Sequence, residues 1–468
     1  MPARRRLALA LASLGLPSLA RQPVVNDASQ LNPVRVDRIL APRTVDEIVA
    51  ALRAYPGPVS IGGARYSMGG QIAANNSLHL DMRGLDRVLR FVPRERSITV
   101  QPGITWRRIQ AVIDPHGLAL QIMQSYADFS VGGSLGVNAH GRYVGQGPLV
   151  SSVEAIRLVL ADGALVDASA TRNSELFYGS IGGYGGIGAI VEATLRLTDN
   201  TPLERRSQVM PLSRYRRFFA TRIGSDPNAI LHNATLYPDD YTQVRAVTFS
   251  RSSRPVTLPD RLTATGGGYR AERLLREVTA ASSWGKGLRQ RIVEPLRYSL
   301  DAVVWRNHEA GLDILSLAPM AGAGTIYALQ EYFVPVGAME RFADRLRTIL
   351  RRHRVNVINV SIRHARKDPG TLLAWARADV FAFVLYYRQQ TAPRDRDTAR
   401  AWTRELIDAA TGLGGAYYLP YQILASAAQF HAAYPDAGRF FALKRRVDPG
   451  NRFRNKLWDA YYLADGER

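Results

Sequence analysis

Short apolar or β-branched runs separated by turn-forming residues fill the first 200 positions, a pattern that predicts a unit of mixed strands and helices. Thr44-Val45-Asp46-Glu47 has the form of a capping box and predicts a helix reaching about Ala54. Strands are predicted over residues 59–61, 78–81 and the alternating 97–101, followed by a helix over 106–113 and strands over 153–160 and 189–197. The pattern is weak from about 203 to 316, with a break at Gly266-Gly267-Gly268 and helical patches around 271–280. It then sharpens into a strand over 325–334, an amphipathic helix over 338–352, strands over 355–363 and 380–388, a helix over 398–410 and a strand over 416–420. That order, β-α-β-β-α-β, predicts a ferredoxin-like antiparallel sheet with its helices on one face and the other face open to a ligand. Strand alternation places Gln330 and Tyr332 on the same side of that sheet. No internal repeat or low-complexity tract is visible, and residues 441–462 are basic and aromatic around the turn Asp448-Pro449-Gly450.

Four glycine-rich turns interrupt the first 190 residues: 61–70, Gln101-Pro102-Gly103, 131–141 and 181–188. Side-chain-free residues at strand ends let an anion approach backbone N-H groups, so several such turns converging predict a site for one long, polyanionic cofactor. One such turn is weak evidence. There is no Gly-Lys-Ser/Thr ending of a P-loop and no Gly-x-Gly-x-x-Gly opening a helix in an early βαβ unit.

The chain has 468 residues and 46% hydrophobic content, enough for two or three structural units. Its formal charge of +21 comes from arginines interleaved with Asp and Glu, which forms no basic face and argues against nucleic-acid binding. With no cysteine there is no disulfide, Cys-ligated metal or thiol nucleophile, and no metal site is expected. Arg4-Arg5-Arg6 before the apolar residues 7–19, with Ser18-Leu19-Ala20 after them, reads as a signal segment over 1–20. The expected location is periplasmic or secreted, or cytoplasmic if that segment is not a signal. No other stretch is apolar for long enough to span a bilayer.

The runs 61–70 and 131–141, the turn Tyr184-Gly185-Gly186-Ile187-Gly188 and the tail Arg446-Val447-Asp448-Pro449 resemble the flavoproteins of the vanillyl-alcohol oxidase and p-cresol methylhydroxylase type, which include aldonolactone and alditol oxidases. The resemblance covers about residues 35–465. It implies an α+β fold of two domains: a PCMH-type FAD-binding domain over 36–202 and a substrate-binding cap over 203–436. Residues 437–468 would return to the first domain. In the second half, Phe430-His431-Ala432-Ala433-Tyr434-Pro435 and Lys444-Arg445-Arg446-Val447-Asp448-Pro449 resemble the decaprenylphosphoryl-ribose oxidases.

Carried over by position, Gly62, Gly63, Ala64, Arg65 and Ser67 would wrap the FAD diphosphate, together with the Pro102-Gly103 turn. Gly132, Gly133, Ser134, Gly136 and Asn138 would line the ribityl and flavin side, and Gly188, Ile190 and Val191 the adenine half. Many members of this family carry histidine where Tyr66 stands, bonded covalently to the flavin. Tyrosine has no imidazole nitrogen, so noncovalent FAD is expected. His140 and Arg142 would sit at the mouth of the flavin cavity, and Gln330, Tyr332 and Arg363 on the sheet above it. Tyr421 replaces an active-site lysine of the decaprenylphosphoryl-ribose enzymes, which argues against the lipid-linked ribose as substrate. The resemblance implies oxidation of a CH-OH group of a sugar, polyol, lactone or related alcohol, with His140 or Tyr421 as proton acceptor and Arg363 and Arg142 giving electrostatic help. Electrons would pass to oxygen, or to a quinone or protein acceptor. A flavin-fold protein without turnover is the reading from another class.

Overall fold

The computed structural model describes residues 22–238, 240–266, 282–317 and 324–466. The expected signal segment 1–20, Gly267, Gly268 and the helical patch 271–280 lie outside the described residues.

In the first unit Thr44 caps the helix Val45–Ala54 by accepting from the Glu47 amide at 3.3 Å. The Glu47 carboxylate reaches back to the Arg43 amide at 3.0 Å, one residue further than a reciprocal box requires. The strands Arg38–Leu40 and Val59–Gly62 flank Leu78–Asp81 in a three-stranded parallel sheet, and Val59–Gly62 delivers the chain into the first glycine turn. A six-stranded antiparallel sheet, centred on the long strand Ala189–Asp199, lies beside it. The helix Trp106–Ile113 and the short helix Val131–Gly136 share one apolar core with this sheet, through Ile98, Val100, Ile109, Leu135, Leu158 and Leu195. Residues 131–136, expected as a turn, thus wind into helix once Val131 and Leu135 are buried one turn apart.

The second unit is one antiparallel sheet of eight strands. Thr325–Pro335, the helix Met339–Arg352, Val357–Ala365, Val380–Gln390, the helix Pro393–Thr411 and Ala416–Tyr417 follow the expected ferredoxin-like order. The weakly patterned stretch before them supplies Pro202–Pro211, the helix Leu212–Phe218, Ala229–Leu236 and Gln243–Arg251. Each half is a β-α-β-β unit with its third strand between the first two. The halves meet where Ala229–Leu236 pairs antiparallel with Val357–Ala365. The expectation of no internal repeat is therefore corrected at the level of architecture. Its trace in sequence is lost because one crossover helix has 14 residues and its counterpart 7, the latter running on into a π turn at Phe219–Ile223.

The tail folds back on the first unit. Lys444, fully buried, donates to Asp448 at 2.8 Å, to the Phe453 carbonyl at 2.8 Å and to the Gly186 carbonyl at 3.0 Å. Phe453 forms a parallel bridge with Val59. This ion pair ties the fourth glycine turn to the C-terminal helices, and breaking one partner of such a pair is expected to cost about 3–5 kcal/mol.

Two buried histidines set an acid limit on stability. Burial, then the charge of Arg65, lowers the pKa of His79 to about 4, and burial followed by His364 lowers that of His232 to about 3. Both rings fold neutral, so the unfolded chain binds more protons below its ordinary histidine pKa. Stability is fully present above pH 6.5 and falls as pH drops towards 4, by on the order of 3 kcal/mol for one such ring. Thermal unfolding followed from pH 7 to pH 4 should show a steep fall in Tm, and a flat profile would contradict neutral burial of the two rings.

Candidate active site between the glycine turns and the cap sheet

The first turn is shaped by contacts on both sides. Arg65 adopts a left-handed φ of 65° and pairs with Asp81 at 3.0 Å, while the Ala64 amide donates to the Ser130 hydroxyl at 3.1 Å. A Cβ on Gly63 would collide with that hydroxyl, and one on Gly62 would stand 2.8 Å from the His79 ring. Among the described residues the amides of Arg65, Tyr66 and Ser67 have no acceptor. Further along, the Met68 amide donates to the Pro420 carbonyl at 2.8 Å, and Gln71 donates to the carbonyls of Leu419 and Tyr421 at 2.6 and 2.8 Å. Gly69 is packed so closely on the Tyr421 carbonyl that no Cβ fits. Tyr66 is half-exposed, its ring 4.6 Å from Phe129, which leads on to Tyr126 at 6.2 Å. Partial burial, then Asp128 and Asp313, raises the pKa of its phenol.

The other turns sit directly behind. Gly132 lies on Pro102, a Cβ there falling 2.6 Å from the proline ring, and Gly103 is wedged beneath the carbonyls of Met82 and Leu85. The Tyr184 amide donates to the Gly136 carbonyl at 2.9 Å, bringing the fourth turn onto the third, and Gly133 lies below Ser130. Gly188 approaches the Val159 carbonyl, and the side chains of Ile190 and Val191 are buried in neighbouring cores. Ser134 uses its hydroxyl inside the unit, accepting from Trp106 Nε1 at 3.1 Å. Asn138, with φ of 46°, divides its side-chain amide between the units: Nδ2 donates to Asp368 of the cap at 2.8 Å, and Oδ1 accepts from the Val150 amide of the first unit at 3.1 Å. Its carbonyl accepts from Trp375 Nε1 at 2.9 Å. The structure therefore gives the Asn138 side chain the role of joining the two units, at a position that the sequence set on the ribityl and flavin side.

His140, Tyr421, Arg363 and Arg142 come together, and Glu331 stands at their centre. Glu331 Oε1 is 2.5 Å from His140 Nε2, and Glu331 Oε2 accepts from the Tyr421 hydroxyl at 3.1 Å. The His140 and Glu331 side chains are only 5% and 3% exposed. His140 Nδ1 faces the Gly141 carbonyl at 3.1 Å; since a carbonyl only accepts, that nitrogen carries hydrogen, and the Nε2 contact holds one further proton between ring and carboxyl. The imidazole is boxed by Trp375, Phe333 and Tyr418 at 5.1, 5.8 and 6.1 Å. Burial, then the Glu331 carboxylate, pushes the Tyr421 phenol well above the usual tyrosine range, so it remains a donor at neutral pH. Arg363 lies close enough to feel Glu331, Arg142, Tyr126 and Tyr421; its Nε is shielded and unpartnered, and burial lowers its pKa. Arg142 is anchored to Glu309 at 2.8 Å.

Gln330 and Tyr332 share a face as expected, but it is the face beneath the helices. Tyr332 packs on Phe342 at 5.8 Å, and Gln330, also buried, lies near the hydroxyl of Tyr387, whose ring meets Trp402 at 4.9 Å. The period was right and the phase wrong, because the large apolar body of Tyr332 belongs with the helix core. Glu331, between them, was missed; its signal is a lone carboxylate in the apolar strand Thr325–Pro335, which a buried site must compensate.

Among the described residues no group of His, Asp and Glu is arranged for a metal, and no helix is long and apolar enough to cross a membrane. Residues 36–169 match the FAD binding domain family. Over 152 residues the chain is 30% identical to L-gulonolactone oxidase of Mus musculus, covering 32% of this chain and 34% of the relative. It is 31% identical over 175 residues to D-2-hydroxyglutarate dehydrogenase of Xanthomonas citri pv. viticola, covering 35% and 37%. L-galactono-1,4-lactone dehydrogenase 2, mitochondrial, of Oryza sativa subsp. japonica is 31% identical over 119 residues, covering 25% and 20%. The matched stretch thus spans about a third of the length of the first two relatives and a fifth of the third.

If Asn138 joins the units, Asn138→Ala should lower unfolding free energy by about 1–3 kcal/mol, the cost of stranding buried partners. Denaturant unfolding should show the same loss with and without added FAD. A loss seen only in the presence of FAD would return the side chain to the ligand.

Proposed function

We propose, from the premise that residues 36–169 belong to the FAD binding domain family and that FAD is the cofactor, that this protein oxidises a CH-OH group of a sugar, polyol, lactone or related hydroxy compound. The residues fit the group: the amides of Arg65, Tyr66 and Ser67 are unpartnered among the described residues and lie beside glycines that carry no side chain. When bound, FAD supplies the acceptor for a hydride.

The observation that carries the reading is the Tyr421–Glu331–His140 chain beside Arg363. A substrate hydroxyl placed against Tyr421 gives its proton to the phenol oxygen as the phenol proton passes to Glu331 Oε2. His140, held through Glu331 Oε1, takes up the charge change on the carboxyl without leaving its hydrogen bond. Arg363 disperses negative charge on the substrate oxygen, where a shielded guanidinium acts more strongly than one in water. The aromatic box of Phe333, Trp375 and Tyr418 excludes water from the imidazole. Oxygen, or a quinone or protein, then takes the electrons; the relatives include both an oxidase and dehydrogenases by name.

Mixing the purified protein anaerobically with lactones, polyols and 2-hydroxy acids should bleach the flavin with one of these classes, and admitting oxygen separates an oxidase from a dehydrogenase. Failure of all three classes would end the proposal. Because Tyr66 stands where a linking histidine would be and the chain has no cysteine, FAD is held noncovalently in this reading. Acid precipitation should leave the yellow colour in the supernatant, and colour in the pellet would refute it.

A further inference from the structure

On the far side of the segment that carries Arg142, a cleft of about 600 Å³ opens between the two units. It is lined by Gln121, Tyr143 and Gln146 of the first unit and by Asp226, Arg251 and Arg306 from the cap, so its charged side chains are two cations and one carboxylate. The volume is that of a site for a small organic molecule. Arg306 is only 6% exposed and makes no ion pair among the described residues, Asp199 acting on it only from a distance. One terminal nitrogen donates to the carbonyls of Leu120 and Gln121 at 3.2 and 3.0 Å, and the guanidinium lies 5.1 Å over the Tyr143 ring. Its Nε is buried with nothing to bond. Arg251, exposed at the rim, is close enough to repel Arg306 and likewise has no ion pair among the described residues.

Against the one carboxylate of Asp226, the two arginines leave the cleft with a net positive charge, and a guanidinium is matched to the paired oxygens of carboxylate or phosphate. The amides of Gln121 and Gln146, 3.3 Å apart, add neutral groups for hydroxyls. We propose that this cleft is a second ligand site, separate from the flavin and substrate cavity, for a small organic anion bearing carboxylate or phosphate groups.

Its position gives it a route to the active site. Residues 142–144 run antiparallel to 230–232, with the Val144 amide donating to Ile230 at 3.0 Å and the His232 amide to Arg142 at 2.8 Å. Alternation in that extended segment turns Tyr143 into the cleft and Arg142 towards Arg363. The short helix Arg306–Ala310 repeats the connection, Arg306 lining the cleft while Glu309 holds Arg142 at 2.8 Å. An anion drawn between Arg251 and Arg306 therefore bears on Tyr143, next to Arg142, and on the short helix that carries Glu309.

The test uses the FAD-saturated protein, so that the diphosphate cradle is filled. Calorimetric titration with citrate and with pyrophosphate, at constant ionic strength and against a glycerol control, should show one saturable site for at least one of the two anions. Arg251→Glu changes only the rim and should weaken that site by about tenfold or more, the loss expected for a charge-assisted bond, with Tm and flavin content unchanged. Arg363→Met should leave the anion affinity as it was. The absence of saturable binding for both anions would overturn the proposal, as would an unchanged affinity in Arg251→Glu or a loss of binding in Arg363→Met.

Discussion

A carboxylate in the middle of a cap strand, buried against another unit, imposes the strictest constraint on this molecule. Glu331 leaves water only because His140 lies 2.5 Å from one oxygen and Tyr421 donates to the other. An unpaired buried charge would cost several kcal/mol, so the strand can settle over the glycine turns only where both partners meet it. The arrangement reaches further than three side chains. Tyr421 is fixed by its carbonyl, which is gripped by Gln71 and packed against Gly69, while His140 lies at the end of the third turn. One carboxylate thereby brings the first turn, the third turn and the cap to a common point.

Two other polar clusters hold the surrounding frame. Asn138 and Asp368 join the third turn to the loop before Trp375, and Lys444 with Asp448 joins the fourth turn to the tail. Each lies buried with its hydrogen-bonding groups matched, the condition under which a polar group in a core fixes one arrangement. The glycines act with them. Gly63 and Gly69 are places where another segment comes too near for a side chain, so the turns are as much packing surfaces as cradles for a ligand.

Much of this could be read from the chain, and the failures have physical causes. The helices Trp106–Ile113 and Met339–Arg352 carry strong periodicity, Leu78–Asp81 alternates in sequence and Val380–Gln390 opens on a continuous apolar run, and all four appear where the pattern placed them. The strand Gln243–Arg251 is buried on both faces for most of its length, and the alternation of Ala229–Leu236 is broken by a register shift between Ala229 and Leu231. Gln330 and Tyr332 were placed on the wrong face because period two gives pairing of faces but not which one meets the helices. His140, Arg363 and Tyr421 were recognisable as chemistry-bearing residues at turns or strands. Glu331 escapes the pattern because setting Gln330 and Tyr332 on the ligand side puts it on the opposite face, under the helices. Only the long-range pairing with His140, 191 residues away, reveals its place.

The central claim is that His140 and Glu331 act as one unit across the domain boundary. A double-mutant cycle with His140→Ala and Glu331→Gln, read as the anaerobic rate of flavin reduction, measures that coupling directly. The account predicts that the double variant is within about threefold of the slower single variant, because removing either partner already disables the pair. Losses that multiply in the double variant would show two independent residues and contradict it.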